Sequence, residues 1–193
     1  MENIEIRNIP VVENIIFSGK QNIPWKCVEK YLKSYVGLVV KVEEYQDKIV
    51  IAGNFPDEYT GSKYTKSLRG AVAKAKANAV QVIEPMIQYA TNRRWTENKS
   101  KKHKKDASEG WYRYDTKFYI QVQSSNEFNR RLNLYSASII VRMTLDGLFL
   151  YDVINIKKKR VSRLSHHDCT VENRFFSLNY HKYRNNASRN FCS

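Results

Sequence analysis

The sequence predicts an α+β protein: an N-terminal helix and hairpin, one long helix, then a small antiparallel sheet of three or more strands. Three features predict it. Apolar residues between positions 68 and 90 recur at spacings of three and four, which is a helical stripe. Residues 111–123, WYRYDTKFYIQVQ, alternate apolar and polar side chains as a half-buried strand does. Two further apolar runs, 135–143 and 148–156, flank an Asp146-Gly147 turn signal.

Residues 1–24 contain Pro10 and Pro24 and read as an extended lead-in. Pro24 suits the first turn of a helix over 25–34, where a missing N–H costs nothing. Trp25, Val28, Leu32 and Tyr35 share one face of that helix, and Gly37 is placed to end it. Runs 38–45 and 48–53 around Gln46-Asp47 read as a hairpin. Thr60-Gly61-Ser62 then opens the long helix, whose stripe is Leu68, Val72, Ala75, Ala79, Val82, Met86 and Ala90. Lys63, Lys66, Arg69, Lys74 and Lys76 fall outside the stripe. Pro85 should kink or restart the helix.

The basic run 93–105 follows as a loop. In 111–123, Tyr112, Tyr114, Phe118, Ile120 and Val122 alternate with Arg113, Asp115, Lys117 and Gln121. A two-residue Asp146-Gly147 turn would set Arg142 opposite Tyr151, Ile140 opposite Val153 and Ser138 opposite Asn155. Ser136, Ser138, Arg142, Tyr151 and Asn155 then share one face. Ala137, Ile139, Val141, Leu150, Ile154 and Ile156 share the buried one. Asp152 falls on that apolar face, which weakens the register or implies a partner.

The chain has 193 residues, 33 Lys and Arg against 19 Asp and Glu, and a formal net charge of +14. Its apolar content of 42% is enough for a core, and 12% aromatic residues argue against a wholly disordered chain. No stretch approaches the ~20 apolar residues that span a bilayer. The N-terminus has no basic segment before an apolar run, which argues against a cleaved export signal. Cys27, Cys169 and Cys192 are widely spaced; they suit a reducing compartment and make neither a disulfide framework nor a zinc site. The expectation is a soluble, basic, cytoplasmic domain.

A pI near 9.7 points to a polyanionic partner, RNA or another nucleic acid first, because neutralised phosphates release counterions. Seven Lys and Arg against one Glu lie in 93–105, and nine against two acids lie from Lys157 onward. The other reading is a solvated basic loop and tail that aid solubility. An anionic membrane surface fits less well, since neither run forms an amphipathic helix.

No Cys or His pair has metal-ligand spacing, and His166-His167 would point apart on any regular element. No phosphate-binding glycine loop and no paired acidic cluster for two magnesium ions is present. No metal and no cofactor is expected. Metal-free cleavage of RNA remains chemically available: a base takes the 2′-OH proton, an acid protonates the leaving oxygen, and cations stabilise the charge on phosphorus. His103, between Lys101, Lys102, Lys104 and Lys105, sits in a positive field that keeps it neutral and ready as a base. Equally, it can be one more polar residue in a solvated loop.

Ser138, Arg142, Tyr151 and Asn155 offer a guanidinium for phosphate and a phenol that can donate, or else the ordinary polar side of a hairpin. Ser62 and Lys63 stand where a helix N-terminus favours phosphate, or where Ser62 is only a cap. Trp111, Tyr112, Tyr114 and Tyr119 can stack on bases or belong to the core.

The Lys/His loop, GWYRYDTKF, and YSASIIVRMTLDGLFLYDVINIKKK resemble the BECR-type domains (barnase, EndoU, colicin E5/D and RelE) of phage and conjugative-element polyvalent proteins. The resembling part is 25–159, a single α+β domain, with SKYTKSLRGAVAKAKANA similar to the family's helix and LYDVINI to its closing strand. Residues 160–193 form a basic C-terminal extension. The resemblance implies a metal-independent ribonuclease, a toxin or effector of a mobile element, with an immunity or partner protein. Its implied catalytic residues are His103, Arg142, Tyr151 and Lys63. Lys101, Lys102, Lys104, Lys105, Arg113, Lys117, Arg93 and Arg94 would hold the backbone. The alternatives are a nucleic-acid-binding module that cuts nothing, or an inhibitor or adaptor docking through its basic face.

Overall fold

The structure, a computed structural model, describes residues 8–19, 22–99, 107–122 and 131–159. Its elements are, in order, β1 (Val11–Val12), α1 (Trp25–Leu32), β2 (Val39–Lys41), β3 (Lys48–Val50), α2 (Phe55–Gly61), α3 (Lys63–Ser67), α4 (Gly70–Ala79) and α5 (Ile83–Gln88). They continue with β4 (Thr91–Thr96), β5 (Gly110–Val122), β6 (Arg131–Thr144) and β7 (Gly147–Lys158). The architecture is α+β. Among the described residues no helix is long and apolar enough to cross a membrane.

The alternating residues of 111–122 do form a strand, β5, with Tyr114, Thr116, Phe118 and Ile120 buried on one face. The sheet around it is larger than the sequence predicts, and mixed. Its seven strands run β1-β5-β6-β7-β3-β2, with β4 also paired to β5. β5, β6 and β7 are antiparallel, but β1 joins β5 and β3 joins β7 in parallel. Periodicity within a strand is silent about its neighbours, so the parallel joins of two- and three-residue strands leave no local signal.

The expected long helix is broken instead. Leu68 and Arg69 are extended, and Gly70 lies at φ +57, a backbone that glycine tolerates and that redirects the chain into α4. The Arg69 guanidinium closes the preceding end by donating to the carbonyls of Lys66 and Leu68. A 3-10 turn at Val80–Val82 precedes α5, so Pro85 falls in a first turn, where its absent N–H is no loss.

One layer of helices covers the sheet. Val28, Leu32, Phe55, Tyr59, Ala75, Ala79, Ile83 and Met86 pack there against Tyr114, Phe118, Ile139, Val141, Leu150 and Val153. The alanines of α4 let other elements approach on nearly every side, so Lys76 and Asn78 are buried with them. Asn78 ties down the N-terminal segment: its Oδ1 accepts from Ile16 and Phe17, and its Nδ2 donates to the Phe17 carbonyl.

Candidate nucleic-acid interface

The odd-numbered residues of β5 point away from the helices. Trp111, Arg113, Asp115 and Lys117 stand opposite Arg142, Ile140, Ser138 and Ser136 of β6, and Ser136 stands opposite Lys157 of β7. Among the described residues no helix packs on this face. Arg113, Lys117 and Lys157 are exposed on it and form no ion pair among the described residues. Lys117 and Lys157 flank Ser136 in one row across three strands.

An open groove of about 310 Å³ lies at one end of the face, lined by Thr96, Trp111, Arg113, Ile140, Tyr151 and Ile154 among others. The rings of Trp111 and Tyr151 meet edge to face with centroids 5.0 Å apart. Ile140 and Ile154 supply apolar surface, and Arg113 brings the positive charge.

The hairpin that builds the groove differs in register from the sequence expectation. Thr144 pairs with Gly147, so Leu145 and Asp146 make the turn. The Thr144 hydroxyl accepts the Asp146 N–H at 3.2 Å and closes the turn one residue early, while Gly147 enters the strand at φ +134. Arg142 therefore stands opposite Phe149 rather than Tyr151. Ile140 stands opposite Asp152 rather than Val153, and Ser138 opposite Ile154 rather than Asn155. The offset set by the turn shrinks by one residue at each of two irregularities in β7, one at Tyr151 and one near Asn155 with its φ of +55. Ile154 consequently lines the groove, while Val153 enters the core.

Comparison with protein-family models, with curated proteins and with solved structures finds no match to the chain.

The residues singled out by the sequence are distributed unevenly. Tyr151 and Arg113 line the groove together, and Lys117 shares their face. Arg142 lies across β7: its Nη2 donates to Asn54 Oδ1 at 3.0 Å, and its guanidinium covers the Phe149 ring at 5.2 Å. Its Nε is buried and finds no acceptor among the described residues. Lys63 is exposed at the start of α3, in the helical layer, away from the groove. Ser62 there is a cap, its hydroxyl accepting the Thr65 N–H at 3.2 Å.

His103 and Lys101, Lys102, Lys104 and Lys105 lie outside the described residues. Arg94 pairs with Asp115 at 2.5 Å on the exposed surface. Arg93 is held more firmly, with Nη1 2.9 Å from both Asp47 oxygens and the guanidinium over Tyr45 and Tyr112. Tyr114 donates to the same carboxylate, and burial holds its phenol far above the usual range, with Asp47 adding to the shift. Among the described residues no three His, Cys, Asp or Glu side chains are placed to hold a metal ion.

Sequence reasoning missed three participants. Lys157 lies in a visible basic run, but only the sheet puts it in one row with Lys117, across Ser136. Ile154 was assigned to the buried face by a register that the bulge overturns. Lys76 falls outside the apolar stripe, yet it is fully buried and bonded to Asp152. The available signals were the surrounding run AVAKAKANA, small on all sides, and the carboxylate stranded on an apolar face.

Proposed function

We propose that this protein binds single-stranded RNA across the open face of its sheet. The observation that carries the reading is the joint placement of exposed Arg113, Lys117 and Lys157 with the Trp111–Tyr151 groove on one face, on which no helix packs among the described residues. Cations on such a surface neutralise phosphates, and rings beside them receive unstacked bases. A duplex hides its bases from such rings, so a single strand fits better. A net charge of +14 favours the encounter.

The test is fluorescence anisotropy with a labelled single-stranded RNA, its duplex and the matching DNA strand, over a series of salt concentrations. The single strand should bind most tightly, with affinity falling as salt rises. Trp111→Ala should lose about tenfold, the worth of one stacked base. Wild-type affinity in both Trp111→Ala and Arg113→Ala would sink the reading.

A second reading, metal-independent cleavage by a BECR-like cytoplasmic ribonuclease, is favoured by Tyr151 and Arg113 both lining that groove. The groove thus offers a phenol donor and a cation, and His103 is the proposed proton acceptor. RNA cleavage in EDTA, lost in His103→Ala with affinity retained, is the outcome expected. Intact RNA under those conditions leaves binding alone.

A further inference from the structure

Tyr151 and Ile154 both line the groove, yet they are three residues apart. In a regular strand that spacing sends two side chains to opposite faces. The extra residue in β7 corrects the parity. Leu150 stands opposite Val141 and Asp152 opposite Ile140, so β7 passes through Tyr151 where β6 adds nothing. Two consecutive residues, Asp152 and Val153, are thereby buried, 3% and 0% exposed; Asp152 borders the groove beside Ile140, while its carboxylate reaches Lys76 of α4.

A bulge interrupts the ladder and leaves backbone groups to be satisfied locally. Asp152 does this: its Oδ1 accepts the Val153 N–H at 2.7 Å and also accepts from Lys76 Nζ at 2.6 Å. Lys76 is fixed in turn. Its Nζ lies 4.4 Å and 5.0 Å from the ring centroids of Tyr59 and Tyr64. The Tyr59 hydroxyl donates to the Lys76 carbonyl, and the Tyr64 hydroxyl accepts the Ile156 N–H, each at 2.6 Å. The bulge is thus clamped from α2, α3 and α4 through one carboxylate.

We propose that the Lys76–Asp152 pair is a positioning device for the RNA-binding groove: it holds the bulge that turns Tyr151 and Ile154 onto the same face. Stability alone does not call for it, because apolar residues of similar volume commonly replace a buried ion pair without loss. What an apolar pair lacks is the acceptor for Val153. The consequence for RNA rests on the binding reading above; the positioning itself does not.

The experiment uses the full chain and Lys76→Met/Asp152→Leu, which removes the charges and keeps the volume. Two quantities are read: the nuclear Overhauser contact between the Trp111 and Tyr151 rings, and affinity for a fluorescein-labelled single-stranded RNA. In a folded double variant the ring contact should vanish and affinity should fall about tenfold. The salt slope should stay unchanged, since Arg113, Lys117 and Lys157 are untouched. A folded variant that keeps the ring contact and wild-type affinity overturns the proposal.

Amide exchange in the unaltered chain gives a second measurement that needs no variant. The Val153 amide should exchange as slowly as those of Ile139 and Val141, and fast exchange there also overturns it. If the unaltered chain binds no RNA, the binding reading fails, and the ring contact in the variant decides the positioning role.

Discussion

Lys76 Nζ lies 2.6 Å from Asp152 Oδ1, and both side chains are sealed from solvent, linking the middle of α4 to the middle of β7. Burial lowers the Lys76 ammonium to about 8, with Asp152 opposing the shift, and burial raises the Asp152 carboxyl against the pull of Lys76. Both shifts run toward the neutral forms. Desolvation thus opposes the attraction within the pair, as it does for buried ion pairs in general.

Removing one partner should be far worse than removing both. Lys76→Met leaves a buried carboxylate uncompensated and should destabilise by roughly 3–5 kcal/mol. Lys76→Met/Asp152→Leu should be neutral or up to about 4 kcal/mol more stable. Urea denaturation of the three proteins measures the difference. A double variant weaker than the single one would show that the ion pair itself stabilises the fold.

The pH dependence has a definite sign. The folded-state value of Lys76, about 8, lies below the ordinary 10.5, so the folded chain releases this proton first. Stability from this group is complete above the unfolded value and is lost as pH falls through about 8. Facing Lys76 are Asp152 from β7, Tyr59 from α2 and Tyr64 from α3; burial raises both phenols, so neither ionises near pH 8. The Lys76 side-chain carbon shift should titrate near pH 8, and the stability difference between wild type and Lys76→Met should grow from pH 7 to 9. A Lys76 signal flat to pH 10 would contradict this.

Arg93 and Arg113 look alike in the sequence and should behave oppositely. Arg93→Ala breaks the paired bonds to Asp47 and the stacking on Tyr45 and Tyr112. Because about a third of its side chain is open to solvent (35%), the cost should be only about 1 kcal/mol, seen as a lower Tm. Arg113→Ala should leave Tm unchanged, weaken RNA and reduce the logarithmic salt slope by about 0.7. Equal effects of the two substitutions on RNA would place the interface elsewhere.

Gly110 opens β5 at φ +110, and a Cβ there would stand 2.7 Å from Trp95 Nε1 and 2.8 Å from the Thr96 carbonyl oxygen. Gly110→Ala combines a strained backbone with a collision against β4, and should cost about 1–3 kcal/mol. Thr96 lines the groove, so RNA affinity should drop as well. Trp95, whose indole donates to the Glu109 carbonyl at 3.1 Å, reports the displacement by its fluorescence. Unchanged emission and unchanged stability would refute the clash.

The sequence by itself determined what is local or additive. The two-residue period of 111–122 is a property of extended backbone, so it identified β5 and its buried face before any neighbour was known. Charge sums without regard to fold, so the cationic excess was legible too. Asp152 on an apolar face already pointed either to a different register or to a partner. Tertiary structure decided the rest. Which cation answers Asp152, which strands flank β5 and β7, and where β7 takes its extra residue depend on groups far apart in the chain. The turn shows how small the deciding margin is: the Thr144 hydroxyl and one bulge were enough to set Arg142 opposite Phe149 and Ile154 opposite Ser138. Periodicity specifies a face within one strand, whereas the identity of the residue across from it is a long-range contact that no single strand encodes.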